Sequence, residues 1–235
     1  SIIHEALQGT VRITTHKARA AESDEGEVDV REVPFLYLTV DVPAAPLFQD
    51  VLERNIIPQV PLISCLSKFD GSSFQEMMNG DRRQYVITRL PRFLIVHIKR
   101  FSKNTQQFLE KNPTIVNFPV KGLELANYTQ ACARAACRAR ARAALPRPRC
   151  ALGPASPPRL LPPPPQLADP AESRTKFNLM CSVQHDGPPE GGSYRAFVHF
   201  KANDAWYEMQ DLHVNGVHPQ LISVSESYIQ VYEAA

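Results

Sequence analysis

Ten of the chain's 21 prolines stand between positions 131 and 170, in the run ACARAACRARARAALPRPRCALGPASPPRLLPPPPQLADP. Each proline fixes φ and removes a backbone donor, so neither helix nor sheet is expected to persist past Pro146. The run holds almost no large apolar residue before Leu145, and we read 129–175 as a disordered Arg/Ala/Pro insertion in a surface loop. Any core must come from the sequence on either side of it. Seven arginines in residues 131–170 face a single acid, Asp169, so the formal charge of +2 for the whole chain conceals a mildly acidic remainder. A basic nucleic-acid-binding arm is the sharper reading of that charge. The run lacks the interleaved aromatics of a base-stacking surface, which favours the solvated loop and leaves direct RNA contact an open alternative.

The 235 residues suffice for one good-sized domain with a proper core, or for two small ones. The first residue is Ser1 rather than methionine, which suggests a piece of a longer protein. Charged residues interrupt every hydrophobic segment, so neither a signal peptide nor a membrane-spanning run is expected, and a soluble protein is the default. The five cysteines, Cys65, Cys132, Cys137, Cys150 and Cys181, are odd in number and lack short paired spacings. That pattern argues against a disulfide framework and for a reducing compartment. The acidic residues 20–32 read as a second solvated loop.

Most remaining segments read as strands. FLYLTVDV, from Phe35, is one candidate, ended by Pro43. FLIVHIKRF, after Leu90 and Pro91, is a near-continuous apolar run of strand length, hence a central strand. TIVNFPV, FNLMCSVQH, SYRAFVHF, WYEMQDLHV and YIQVYEA complete the set. In SYRAFVHF, alternation places Tyr194, Ala196, Val198 and Phe200 toward a core, with Ser193, Arg195 and His199 on the other side. PLISCLSKF suits a short amphipathic helix opened by Pro61 and closed before Gly71. The sum is an α+β domain dominated by antiparallel sheet.

Few residues could carry chemistry. A lone histidine in an apolar strand, such as His97, is ordinarily a satisfied core residue. Cys65 and Cys181 fall in core segments, where a free cysteine behaves as a small inert hydrophobe. The sequence contains no nucleophile elbow, phosphate loop or dinucleotide fingerprint. Metal-ligand spacing is poor, the nearest pair being Cys132 and Cys137 inside the low-complexity run.

Several strings nevertheless occur in a telling order. VITRLPRFLIVHIKRF is similar to a strand of the ubiquitin-specific proteases that ends in His-Leu-Lys-Arg-Phe. FNLMCSVQHDGPPEGGSYRAFV resembles that family's histidine box, and WYEMQDLHV followed by SYIQVYE resembles its terminal strands. With PFLYLTVDVP and IPQVPLISCLSKFDG, the resemblance covers nearly the whole chain apart from the insertion. It implies a papain-like ubiquitin-specific-protease fold, represented by its palm and fingers and missing the thumb half, with the cysteine box upstream of Ser1.

The departures from the family pattern carry the functional expectation. Active members end the histidine box in Gly-His-Tyr, where this chain reads Gly192, Ser193, Tyr194. A serine hydroxyl does not take up and return a proton near neutral pH, so Ser193 cannot act as the base. The family's orienting Asp or Asn falls on Gln210, and Asp211, one residue on, would point the other way along a strand. Loss of the base from a hydrolytic triad costs about 10⁶ in kcat. His199 is the nearest replacement, yet six residues along a strand is roughly 20 Å. Many members also carry two Cys-x-x-Cys pairs in the fingers; the matching places, VRITTHKARA and SSFQEMMNGDRRQYV, hold no cysteine, so no zinc or other cofactor is expected.

This combination is similar to the catalytically silent, spliceosomal branch of the family. It implies a nuclear pseudo-deubiquitinase that is a scaffold in assembly or maintenance of the U4/U6.U5 tri-snRNP. Its partners would be spliceosomal snRNP proteins, with no membrane or small-molecule substrate and with weak ubiquitin binding left open. Ser193 and Gln210 are then vestigial catalytic positions, and no true catalytic or metal-binding residue is assigned. An active thiol-dependent deubiquitinase is the alternative.

Overall fold

A computed structural model of the chain describes residues 1–17, 28–43, 57–103, 109–129, 175–223 and 225–235. The expectations for residues 130–174, for residues 20–27 of the acidic stretch, and for Cys132, Cys137 and Cys150 lie outside the described residues.

The first half of the chain contains α1 (Ile2–Leu7), β1 (Gly9–His16), β2 (Val28–Phe35), β3 (Leu38–Asp41), β4 (Gln59–Pro61), α2 (Leu62–Leu66), β5 (Gln75–Glu76), β6 (Arg82–Arg89), β7 (Phe93–Lys99) and β8 (Phe101–Lys103). There follow β9 (Leu109–Lys111), β10 (Ile115–Asn117), β11 (Leu123–Glu124), β12 (Lys176–Asp186), β13 (Ser193–Phe200), β14 (Ala205–Gln210), β15 (His213–Val217), α3 (Pro219–Ser223) and β16 (Ser227–Ala234). The main sheet runs β15-β14-β13-β12-β16-β7-β3, with β11 added beside β12. A second sheet, β2-β1-β6-β5, is hydrogen-bonded separately and shares the same core through Val11 and Ile87.

Pairing is antiparallel except for β3 with β7 and β4 with β10, so the expected α+β, largely antiparallel architecture describes the molecule. β7 lies between β16 and β3, one strand in from the edge. Its Leu94, Val96 and Ile98 are wholly buried while Phe93, Ile95 and His97 are half-buried, which accounts for the unbroken apolar run. Against that inner face pack Leu62 and Leu66 of α2, then Phe69 in the following 3₁₀ turn. Both flanks of the insertion join this body. Thr129 bridges to Ile87, and the Thr175 carbonyl accepts from the Leu125 amide at 2.8 Å.

Four expectations are corrected. FLYLTVDV is not one strand: Phe35 ends β2, a bend at Leu36 and Tyr37 intervenes, and β3 starts in the other sheet. Phe35 is tied to the second sheet because its ring lies over Gly9, where a Cβ would come within 2.3 Å of Phe35 Cζ. WYEMQDLHV is a hairpin, turning at Asp211, whose φ is +51°, and Leu212. Residues 28–32 of the acidic stretch form part of β2 rather than a loop.

The fourth correction concerns β13. Its core residue is Phe197, on the face of Ser193, Arg195 and His199, whereas Tyr194 and Phe200 are more than half exposed. Alternation cannot place a face when the neighbouring strand changes phase. In β12 the buried set passes from Phe177 and Leu179 to Ser182 and Gln184 across a bulge between Leu179 and Cys181, and Phe197 pairs with Ser182.

Candidate functional site

The turn between β12 and β13 sets where Ser193 sits. Gly187 has φ +104°, in the left-handed region that favours glycine, and the Gly191 amide donates to the Pro188 carbonyl at 3.2 Å. Gly192 packs so closely that a Cβ there would lie 2.3 Å from the Asp186 carbonyl oxygen and 2.6 Å from His185 Nε2. Of the glycines in that string, Gly187 and Gly192 are thus the ones the turn requires, while Gly191 has open space around it.

Ser193 and Gln210 meet. The Gln210 side-chain amide donates to Ser193 Oγ at 3.3 Å. The β13–β14 register, Ala196 opposite Met209, carries Gln210 onto the Ser193 face, while Asp211 is in the turn beyond. Between them Arg195 donates to Asp186 Oδ2 at 2.5 Å and Glu208 Oε1 at 2.9 Å. The bonds to Glu208 and Asp186 raise the Arg195 guanidinium above its ordinary value. A recess of about 440 Å³, lined by Arg195, Phe197, Glu208, Val217 and Leu221, opens on that face. A hydroxyl and an amide exchange no proton near neutral pH, so this pair binds and positions but cannot act as acid or base.

Behind Gly192 stands a residue that sequence reasoning passed over. His185 is buried, its ring centroid 4.9 Å from that of Tyr194 and 5.3 Å from that of Phe101, and its Nδ1 has no hydrogen-bond partner among the described residues. The string QHDG ahead of the glycines was the available signal. His185, not His199, is the histidine next to Ser193, which corrects the expectation of His199 as the nearest candidate. His199 lies at the far end of β13, bonded to Asp204 at 2.8 Å and set against Trp206 beside a separate recess.

Lys111 braces the turn, and Arg100 joins the start of β16 to residues 112–114. Lys111 Nζ donates to the His185 carbonyl at 2.7 Å and pairs with Glu226 at 2.7 Å. Arg100, of HIKRF, is 1% exposed; it donates through Nε to the Ser227 carbonyl at 2.6 Å and through Nη1 to the carbonyls of Asn112 and Thr114. Burial pulls its guanidinium below the ordinary value, against the opposing effect of Glu226. The Ser227 and Ser182 hydroxyls are 3.0 Å apart, which ties β16 to β12 at the same level. Neither described cysteine joins the site as a nucleophile. Burial pushes both the Cys65 and Cys181 thiols up, away from thiolate character.

The family model for ubiquitin carboxyl-terminal hydrolase matches residues 1–232. The chain belongs to that family. Ubiquitin carboxyl-terminal hydrolase 39 of Mus musculus is 34% identical over 247 aligned residues, covering 99% of this chain and 37% of that protein. The probable mRNA-splicing protein ubp10 of Schizosaccharomyces pombe is 32% identical over 99% of this chain and 42% of its own length. The chain therefore spans about two fifths of the curated relatives it matches. The solved Ubp8-Sgf11-Sgf73-Sus1 SAGA DUB module is similar in fold, with a TM-score of 0.64 at 17% identity over the whole of this chain and 41% of that one. The fold of this hydrolase-family chain is thus the ubiquitin-specific-protease fold in part, sheet-rich with few helices.

Proposed function

We propose that this chain is part of a catalytically silent deubiquitinase-like protein that is a scaffold in pre-mRNA splicing, acting in assembly or maintenance of the U4/U6.U5 tri-snRNP. The observation that carries the silent half of this reading is the Ser193–Gln210 hydrogen bond, a non-titrating pair where the family resemblance puts a histidine and its orienting acid. The splicing half is supported by a relative, named as a probable mRNA-splicing protein, that aligns with 99% of the chain. In this reading the protein is nuclear, its partners are spliceosomal snRNP proteins, and the β2-β1-β6-β5 sheet holds without zinc. That sheet's long β1–β2 ladder and the Arg12–Glu32 pair at 2.7 Å support the last point.

One observation favours a second reading. His185, buried beside Gly192 with Nδ1 unpartnered among the described residues, is a histidine that could serve as the base of an active thiol-dependent deubiquitinase. Affinity purification of the tagged full-length protein from nuclear extract separates the two. Co-purification of tri-snRNP proteins and their small nuclear RNAs is expected of the scaffold. Recovery of ubiquitin conjugates without snRNP components would overturn it.

A further inference from the structure

β2 is the outermost strand of the second sheet, and its outer edge is unpaired among the described residues. It is unusual for an edge. Eight residues long, it has three exposed valines: Val28 (50%), Val30 (55%) and Val33 (42%). Edge strands are ordinarily blunted by lysine, by proline or by a bulge, because a row of unpaired N–H and C=O groups invites another strand. β2 has no lysine, its register with β1 is unbroken, its one proline, Pro34, lies at the far end, and its charged residues, Asp29, Arg31 and Glu32, are of both signs and so can be matched by a partner strand.

We propose that residues 28–32 of β2 form a self-complementary pairing surface through which two copies of this chain associate, β2 against β2 antiparallel. Symmetry restricts the register. A two-fold axis perpendicular to the sheet keeps each side chain on its own face, so residue i meets residue S−i only where S is even. Centring the axis on Arg31 places two arginines face to face, and centring it on Glu32 places two glutamates there. Centring it on Val30 sets Val30 against Val30 and, on the same face, Val28 of each copy opposite Glu32 of the other. On the other face it sets Asp29 of each copy opposite Arg31 of the other. Within one chain Asp29 and Arg31 already pair along the strand at 2.8 Å, so the two copies complete a square of alternating charge. No other two-fold register of this strand joins opposite charges.

Five paired residues a side make a small interface, so the dimer is weak and concentration-dependent. Sedimentation velocity of the full-length protein, over a concentration range of about a hundredfold, tests it. Monomer–dimer exchange is expected. Asp29→Arg alone and Arg31→Asp alone each put like charges opposite one another and should raise the dissociation constant at least about tenfold. The double variant, Asp29→Arg with Arg31→Asp, restores the alternating square and should recover the wild-type constant. Arg31 is exposed and Asp29 partly so, and unchanged melting curves confirm that each of the three variants folds. A wild-type protein that stays monomeric throughout overturns the proposal, as does a dimer indifferent to the single changes or one that the double change fails to restore.

Discussion

The Gln210 amide and the Ser193 hydroxyl are joined at 3.3 Å across β13 and β14, on a face whose centre is held by Arg195 between Asp186 and Glu208. Neither side chain titrates near neutral pH, so the pair can hold the two strands together but cannot move a proton. The framework behind them consists of backbone-directed bonds from Lys111 and Arg100 and a close glycine contact. None of these requires the chemistry that the framework would support in an active relative.

Gly192 is the tightest point of that framework. In Gly192→Ala the added Cβ meets the Asp186 carbonyl oxygen, which cannot move without disturbing the β12–β13 ladder. Destabilisation of about 1–3 kcal/mol is expected, read by urea unfolding. Gly191→Ala, with open space around its Cβ, is the control and should be far milder.

Arg100→Met should cost about 3 kcal/mol or more in the same measurement, since it strands the carbonyls of Ser227, Asn112 and Thr114 in the interior. Arg100→Lys should rescue little, because a single ammonium cannot reproduce the guanidinium fork.

The strand-rich fold was legible because β7 is a near-continuous apolar run and β12 and β16 are strand-length stretches that mix apolar with polar residues. What alternation could not reveal was phase. The bulge in β12 moves the buried set from Leu179 to Ser182, and with it the core face of β13 to Phe197. The turn at Asp211 was hidden because an aspartate at positive φ stands where a glycine would have announced it. At the site, Ser193 and Gln210 could be named only through the resemblance to the family's histidine box and terminal strands. For His185 only the neighbouring QHDG string gave a signal, and for Lys111 nothing did, since their contact joins segments 74 residues apart in sequence.

His97 makes an acid-side prediction. Its ring lies against Tyr37 and Tyr228, with Thr39 Oγ1 3.4 Å from Nδ1 and Lys99 on the same strand. Burial first, and Lys99 second, lower its pKa in the folded protein. Unfolded chains then take up a proton more readily than folded ones, so stability is complete above the ordinary histidine value of about 6.5 and declines as pH falls below it. The slope of unfolding free energy against pH in that window should flatten in His97→Gln.

The proposal of a catalytically silent protein is most directly tested by incubating the full-length protein with ubiquitin carrying a fluorogenic C-terminal amide. The expected result is release no faster than from the same protein with its thiols alkylated, consistent with the loss of about 10⁶ that follows removal of a triad base. Turnover that alkylation abolishes, and that His185→Gln also abolishes, would contradict the account and make His185 the base of a working hydrolase.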